Sequence, residues 1–168
     1  MSSSTYKTCL WFDDDGLEAV EMYTELLPDA EILSVSHYPE DIEFGRPGAV
    51  VQVEFRLGDQ QYVVLNGGPM FPHTEAVSVQ VFVDSQEELD RVWDGLLAGG
   101  GEPSQCGWLT DRFGMSWQVI PSRLAELMSD PDPDVAGAVM AQLLQMSKLD
   151  LAPLEAAATR ASGTAAPS

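Results

Sequence analysis

The sequence predicts an α+β fold made of two similarly built βαβββ modules, whose mixed, curved sheets enclose a cleft, followed by a C-terminal helix. Three observations predict it. The chain repeats itself at a shift of 70 positions, so that Phe12 meets Phe82, Asp14 meets Asp84, Glu18 meets Glu88, Tyr23 meets Trp93 and Leu26-Leu27 meets Leu96-Leu97. The second copy carries an apolar stripe of helical period at Leu89, Val92, Trp93, Leu96 and Leu97. Each helix is then followed by alternating strand patterns broken by turn residues.

In order along the chain, the first module opens with an apolar run through Leu10-Trp11-Phe12. Asp15 and Glu18 take the cap positions of its helix, and Pro28 marks the exit. Strands follow at Ile32–Ser36, Ala49–Leu57 and Gln61–Asn66, the last two joined by a turn at Gly58-Asp59. The second module opens with a strand that carries Ser78, Gln80 and Phe82 alternating with Val79, Val81 and Val83. Ser85-Gln86-Glu87-Glu88 reads as a capping box, and Gly99-Gly100-Gly101 stops the helix. That triplet follows a helix rather than a strand, so it is a stop and not a phosphate loop. Strands at Cys106–Thr110 and Met115–Ile120 flank a turn at Phe113-Gly114. A further helix is capped by Asp132 with Pro133 at its first position, and Leu149, Leu151 and Leu154 continue an apolar edge. The expected organisation is one domain of paired modules over residues 1–128 (6–68 and 76–121), a helical extension over 129–155 and a flexible, Ala/Ser/Thr-rich tail over 156–168.

Composition narrows the partners. Eight Lys and Arg against 27 Asp and Glu give a net charge of −19, which repels phosphate backbones and anionic lipid. Nucleic-acid and membrane binding are therefore not expected. Residues 1–7 do not resemble a signal peptide, no run approaches a membrane span, and two cysteines make no secreted-type framework. A cytoplasmic setting is the expectation.

Strand side chains alternate, so each strand offers one list to the helices and another to the cleft. The repeat assigns Cys9 and Trp11 to the helix side and Thr8, Leu10 and Phe12 to the cleft. In the second module Val79, Val81, Trp117 and Val119 go to the helix side. The expected ligand contacts are Thr8, Leu10, Glu54, Asn66, Ser78, Gln80, Trp108, Ser116 and Gln118, a mostly neutral set with a few groups to orient a small guest.

Leu10-Trp11-Phe12, Tyr23-Thr24-Glu25-Leu26-Leu27-Pro28, Leu65-Asn66-Gly67-Gly68, the run from Cys106-Gly107-Trp108 to Trp117-Gln118-Val119-Ile120-Pro121, and Met146-Ser147-Lys148-Leu149-Asp150-Leu151 resemble PhnB-like proteins. These belong to the glyoxalase/bleomycin-resistance, or vicinal-oxygen-chelate, superfamily, and carry the family name 3-demethylubiquinone-9 3-methyltransferase. The resemblance implies paired βαβββ modules, a cleft and a homodimer. It also brings in metal enzymes, which place His, Gln or Glu on the first and last strand of each module. Here those positions are Thr8, the Val64–Asn66 segment, Ser78 and Gln118, a poor donor set for a divalent cation, so no metal or other cofactor is expected. The family name's methyl transfer lacks the glycine-rich strand–helix junction a nucleotide-like cofactor needs. His37 and His73 read as loop residues, and a Cys106–His73 nucleophilic pair is a remote arrangement beside a small core cysteine.

Two functions remain open. One is a pocket protein that binds a small, partly apolar molecule without transforming it. The other is an enzyme using Glu54 as general base, or a weakly held divalent metal. An acidic surface and C-terminal helix serving a protein partner is a third arrangement.

Overall fold

A computed structural model describes residues 6–41 and 46–163. Two compact units divide the chain, Met1–His73 and Thr74–Ser168, and each has the order strand, helix, three strands. Among the described residues no helix is long and apolar enough to cross a membrane.

Unit one contains β1 (Thr8–Phe12), α1 (Gly16–Leu26), β2 (Ala30–His37), β3 (Val50–Leu57) and β4 (Gln60–Asn66), in the sheet order β1-β4-β3-β2. β1 and β4 are parallel; the other neighbours are antiparallel. Helix α1 covers one face, burying Ala19, Val20 and Tyr23 over Val53, Phe55 and Val64. That buried apolar contact holds the helix, since eleven residues alone make a marginal helix in water.

Unit two repeats the plan with β5 (Ser78–Val83), α2 (Gln86–Leu97), β6 (Glu102–Pro103), β7 (Trp108–Thr110) and β8 (Ser116–Pro121), ordered β5-β8-β7-β6. The capping box forms as the sequence predicts: the Glu88 amide donates to Ser85 Oγ at 3.1 Å, and the Glu88 carboxylate accepts from the Asp84 amide at 3.2 Å. Leu89, Val92, Trp93 and Leu96 are buried, and Gly99, at φ +81°, ends the helix where an L side chain would be strained. The short β6 has no alternation to read and escaped the sequence analysis.

The C-terminal region is three helices, α3 (Arg123–Met128), α4 (Pro133–Leu143) and α5 (Leu151–Ala161), all in unit two. Asp132 caps α4, accepting from the Asp134 amide at 2.9 Å. Residues 156–161, assigned to a flexible tail, form the second half of α5. Their alanines are strong helix formers, and Leu154, Ala157 and Ala158 are buried. Residues 164–168 of that tail lie outside the described residues. The segment between α4 and α5 is pinned to its own chain. Cys106 and Gly107 amides donate to the Met146 and Ser147 carbonyls at 2.8 and 2.7 Å, and the Gln86 amide group holds the Leu149 carbonyl and the Leu151 amide. Gly107 has φ +84°, and a Cβ there would lie 2.9 Å from the Val119 carbonyl oxygen and 3.1 Å from Leu149. Only glycine lets these segments meet.

Candidate functional site

In unit two, β8 pairs with β5 in parallel register, Ser78 with Ser116 and Gln80 with Gln118, and β7 sets Trp108 against Gln118 and Thr110 against Ser116. Alternation puts these six side chains on one face, with Phe82 and Ile120. Val83, Leu109, Trp117 and Val119 are buried on the α2 side. The strand faces here fall as the sequence predicts.

Three polar groups on the open face are joined in a chain. Gln80 Nε2 donates to Gln118 Oε1 at 3.1 Å, and Gln118 Nε2 donates to Ser78 Oγ at 2.8 Å. Phe82 beside them is 59% exposed, an uneconomical position for a phenyl ring in water. Ser116 Oγ is buried and has no hydrogen-bond partner, a deficit costing about 1–3 kcal/mol.

Asp111 fixes which way β8 presents this face. It is buried, and its Oδ1 accepts from the Phe113 and Met115 amides at 2.9 and 3.0 Å, while Oδ2 accepts from the Trp117 indole at 2.8 Å. The carboxylate thereby shapes the β7–β8 turn and holds Trp117 against the core. The turn falls where the sequence predicts, at Phe113-Gly114, but the role of Asp111 is not evident from its place in the sequence beyond the one signal available, an aspartate two residues before the turn.

In unit one the predicted faces of β3 hold, with Val53 and Phe55 buried toward α1 and Glu54 opposite them, but β1 and Asn66 of β4 take the reverse of the predicted side. β1 runs parallel to β4 with Leu10 beside Val64 and Phe12 beside Asn66. Leu10, Phe12, Val64 and Asn66 are buried on the α1 side, and a Cβ built on Gly16 would lie 2.2 Å from Val64 and 2.5 Å from Asn66 Oδ1. Thr8 shares their alternation. Cys9 and Trp11, expected against the helix, instead share the other face with Gln52, Glu54, Val63 and Leu65. The cause is one residue of connector. Three residues separate Phe12 from Gly16, but only two separate Val83 from Gln86. The helices repeat at 70 positions and the strands at 71, and a one-residue slip moves every side chain to the opposite face.

Asn66 accordingly serves the fold. Its Oδ1 accepts from the Gly16 amide at 3.1 Å, and Nδ2 donates to the Asp14 and Val50 carbonyls at 3.3 and 3.2 Å. It caps α1 from a neighbouring strand, whereas Asp15, at the N-cap position, makes no side-chain cap bond. Trp11 lies under the next loop, its indole donating to the Gly68 carbonyl at 2.7 Å and its ring edge-on to Phe71.

Glu54 stands on the open face of this sheet in a polar setting rather than an apolar one. Lys7 Nζ lies 2.7 Å from its Oε2, and Gln52 Nε2 lies 3.5 Å from Oε1. Of the expected contacts, the structure brings Ser78, Gln80, Trp108, Ser116 and Gln118 together on one face and Glu54 onto another. It sets Thr8, Leu10 and Asn66 on the α1 side of their sheet. The remote thiol–imidazole pair is not needed by either residue: Cys106 Sγ donates to the Leu143 carbonyl at 3.6 Å, and His73 packs edge-on against Phe12.

Neither sheet by itself offers a donor set that fits a divalent cation. The Gln118 amide oxygen, its one metal-competent atom, is taken by Gln80, and the Glu54 carboxylate is taken by an ammonium. Among the described residues no group of three His, Cys, Asp or Glu side chains could hold a metal.

A feature the sequence did not reveal is a cavity of about 460 Å³ at one end of the unit-one sheet, lined by Asp14, Leu17, Tyr38, Arg46, Val50 and Asn66. An Arg46–Asp14 ion pair stands in its lining. Negative charge is dense here. Burial, and then the charges of Asp14, Asp13 and Glu18, hold the Asp15 carboxyl above its ordinary value despite a lowering backbone hydrogen bond.

Comparison with known proteins places this geometry. The family described as 3-demethylubiquinone-9 3-methyltransferase matches residues 4–120, more than half the chain. A Bacillus cereus PhnB protein, given the same methyltransferase description, is 30% identical over 71% of this chain and all of its own, with a TM-score of 0.64. Protein PA1353 from Pseudomonas aeruginosa is 22% identical over 71% of this chain and 98% of its own, with a TM-score of 0.55. The fosfomycin resistance protein FosX from Mesorhizobium loti is 16% identical over 75% and 97%, with a TM-score of 0.50, a likeness of fold. No curated protein sequence matches. The paired βαβββ units, the Cys-Gly-Trp to Trp-Gln-Val-Ile-Pro block and these likenesses agree: the chain belongs to the PhnB-like, 3-demethylubiquinone-9 3-methyltransferase family of the vicinal-oxygen-chelate superfamily.

Proposed function

We propose that this protein binds a small, partly apolar molecule on the open face of the unit-two sheet, without a catalytic metal. The observation that carries the reading is the Gln80–Gln118–Ser78 chain beside exposed Phe82. Orienting polar groups set among apolar ones are what a small-molecule site needs, and the Gln118 oxygen and the Glu54 carboxylate are each already bonded, to Gln80 and to Lys7. Methyl transfer gains no support from the strand–helix junctions, which carry Asp13-Asp14-Asp15 and Asp84-Ser85 where a nucleotide-like cofactor needs glycines. The chain is further proposed to be a cytoplasmic homodimer. Met70 and Phe71 of unit one are more than half exposed, apolar surface suited to burial by a second copy.

A ligand screen read by tryptophan fluorescence tests the binding reading, with Trp108 as reporter. Saturable binding that Gln118→Leu abolishes supports it, and saturable binding indifferent to Gln118 and Ser78 substitutions sinks it. Metal analysis of protein purified without chelator tests the second half, where a stoichiometric metal refutes it. The alternative, catalysis through Glu54, has one observation in its favour: Lys7 and Glu54 hold a proton donor and an acceptor 2.7 Å apart on an open face. Glu54→Gln that binds ligand unchanged, with turnover unchanged, removes it. Light scattering on the eluted peak measures the dimer.

A further inference from the structure

We propose that the molecule bound on the unit-two face is uncharged, and that an amide-like group on it is read by the Gln80–Gln118–Ser78 chain. This rests on the small-molecule reading above and names its ligand class.

A charged ligand needs compensation that this face does not offer. Around the hydrogen-bonded chain the β5, β7 and β8 positions of the open face carry hydroxyls, amides, aromatic rings and Ile120. Its one carboxylate, Glu102, pairs in register with Thr110 on the edge strand β6 and is exposed to solvent. It stands two strands from Gln118, about 10 Å away at the usual strand spacing. An ion bound at the chain loses water and meets no counter-charge, which is costly unless the protein supplies one. For an anion the net charge of −19 adds repulsion at longer range. Unit one repeats the pattern on its own open face, where Lys7 and Glu54 are spent on each other at 2.7 Å.

The chain itself says what the face prefers. A side-chain amide has two N–H donors and an oxygen acceptor, and a hydroxyl has one donor and an acceptor oxygen. Gln118 spends its oxygen on Gln80 and one N–H on Ser78. That leaves the Ser78 hydroxyl hydrogen and second amide hydrogens as donors, next to the Gln80 oxygen as acceptor. A donor and an acceptor side by side are matched by a carboxamide, a urea or a hydroxy-ketone. A carboxylate accepts only and an ammonium donates only, so each leaves half of the face unanswered. The exposed Phe82 ring suits a flat apolar body.

The test uses three isosteric probes, naphthamide, naphthoate and naphthylmethylammonium, titrated calorimetrically into the full chain at neutral pH. The amide is expected to bind at least about tenfold tighter than either ion, the size of one well-made hydrogen bond plus an avoided desolvation. Gln118→Leu, with its urea midpoint checked, is expected to bring the amide down to the level of the ions. Either ion binding as tightly as the amide overturns the ligand class and leaves the small-molecule reading standing. Tight amide binding that survives Gln118→Leu overturns the assignment to this chain. No binding by any of the three overturns both.

Discussion

The two units share one topology and solve its local problems in opposite ways. In unit two the helix starts on a local device: Ser85 and Glu88, three residues apart, satisfy the free amides of the first turn. In unit one the helix starts on a distant one, the Asn66 amide reaching from β4 to the Gly16 N–H. The turns differ as well. Asp111 gathers three N–H donors into the β7–β8 hairpin, while β3 and β4 are joined by the two-residue Gly58-Asp59 turn, with Gly58 at φ +56°. The difference teaches that a repeat fixes where elements go, and that each copy must still find its own way to satisfy the backbone at element ends.

The sharpest test of that contrast removes the two polar hubs. Asp111→Ala strands the Trp117 indole N–H and two amides in a buried site, and is expected to cost about 4 kcal/mol. Asn66→Ala removes weaker, neutral bonds and leaves the Gly16 amide and two carbonyls unanswered, for about 2–3 kcal/mol. Urea unfolding followed by tryptophan fluorescence measures both. A larger loss at Asn66 than at Asp111 breaks the ranking.

Next come the first residues of the two helices, Gly16 and Gln86, which occupy the same place in the repeat. Gly16→Ala forces a methyl to within 2.2 Å of Val64 and 2.5 Å of Asn66, and is expected to cost about 2 kcal/mol through overpacking. Gln86→Ala disturbs no packing of that kind. It frees the Leu149 carbonyl and the Leu151 amide from the Gln86 side chain, for about 1 kcal/mol. Amide hydrogen exchange at Leu151 should rise in that variant and stay unchanged in Gly16→Ala. Ser85→Ala, which dismantles the local cap, is expected at about 1 kcal/mol, whereas Asp15→Ala, with no cap bond to lose, should cost less.

What was legible in the sequence follows from the same contrast. Local devices were readable: the capping box, the Asp132-Pro133 start of α4, the glycine stop after α2 and the alternation of β5 and β8. Devices that act between distant segments were not. Nothing near Asn66 says that it caps a helix fifty residues earlier. Thr8 and Leu10 were assigned to the wrong face because a helix offset was carried into the strand, across a connector longer by one residue. Only the sheet register settles such a parity. On the unit-two face no connector intervened between pattern and strand, and Ser78, Gln80, Trp108, Ser116 and Gln118 could be grouped from alternation alone. The unit-one cavity, lined from several separate segments, leaves no pattern in sequence at all.

The smallest expected effects concern pH, where the units should differ in sign. Asp15 is held above its ordinary pKa by burial and by its acidic neighbours, so its charged form weakens the folded state at neutral pH. That penalty fades as pH falls through the raised value and is gone below 3.8, the ordinary value. Asp15→Asn should therefore be more stable than the parent at pH 7, by a few tenths of a kcal/mol after solvent screening, and equal to it at pH 3. Asp90 in unit two is the mirror case. Hydrogen bonds from Lys148, at 2.8 Å, and from Gln86 hold its pKa below the ordinary value, and the Lys148 ammonium is held above its own by the same contact. Its contribution is present above pH 3.8 and fades as pH falls through the lowered value, so Asp90→Asn should be less stable than the parent at pH 7, with the gap closing in acid. Urea midpoints of both variants across pH 3 to 7 give the two slopes, and raised salt should shrink both differences. Slopes of the same sign would mean that the charges around Asp15 are already dispersed by solvent, and that the acidity of the β1–α1 connector puts no strain on unit one.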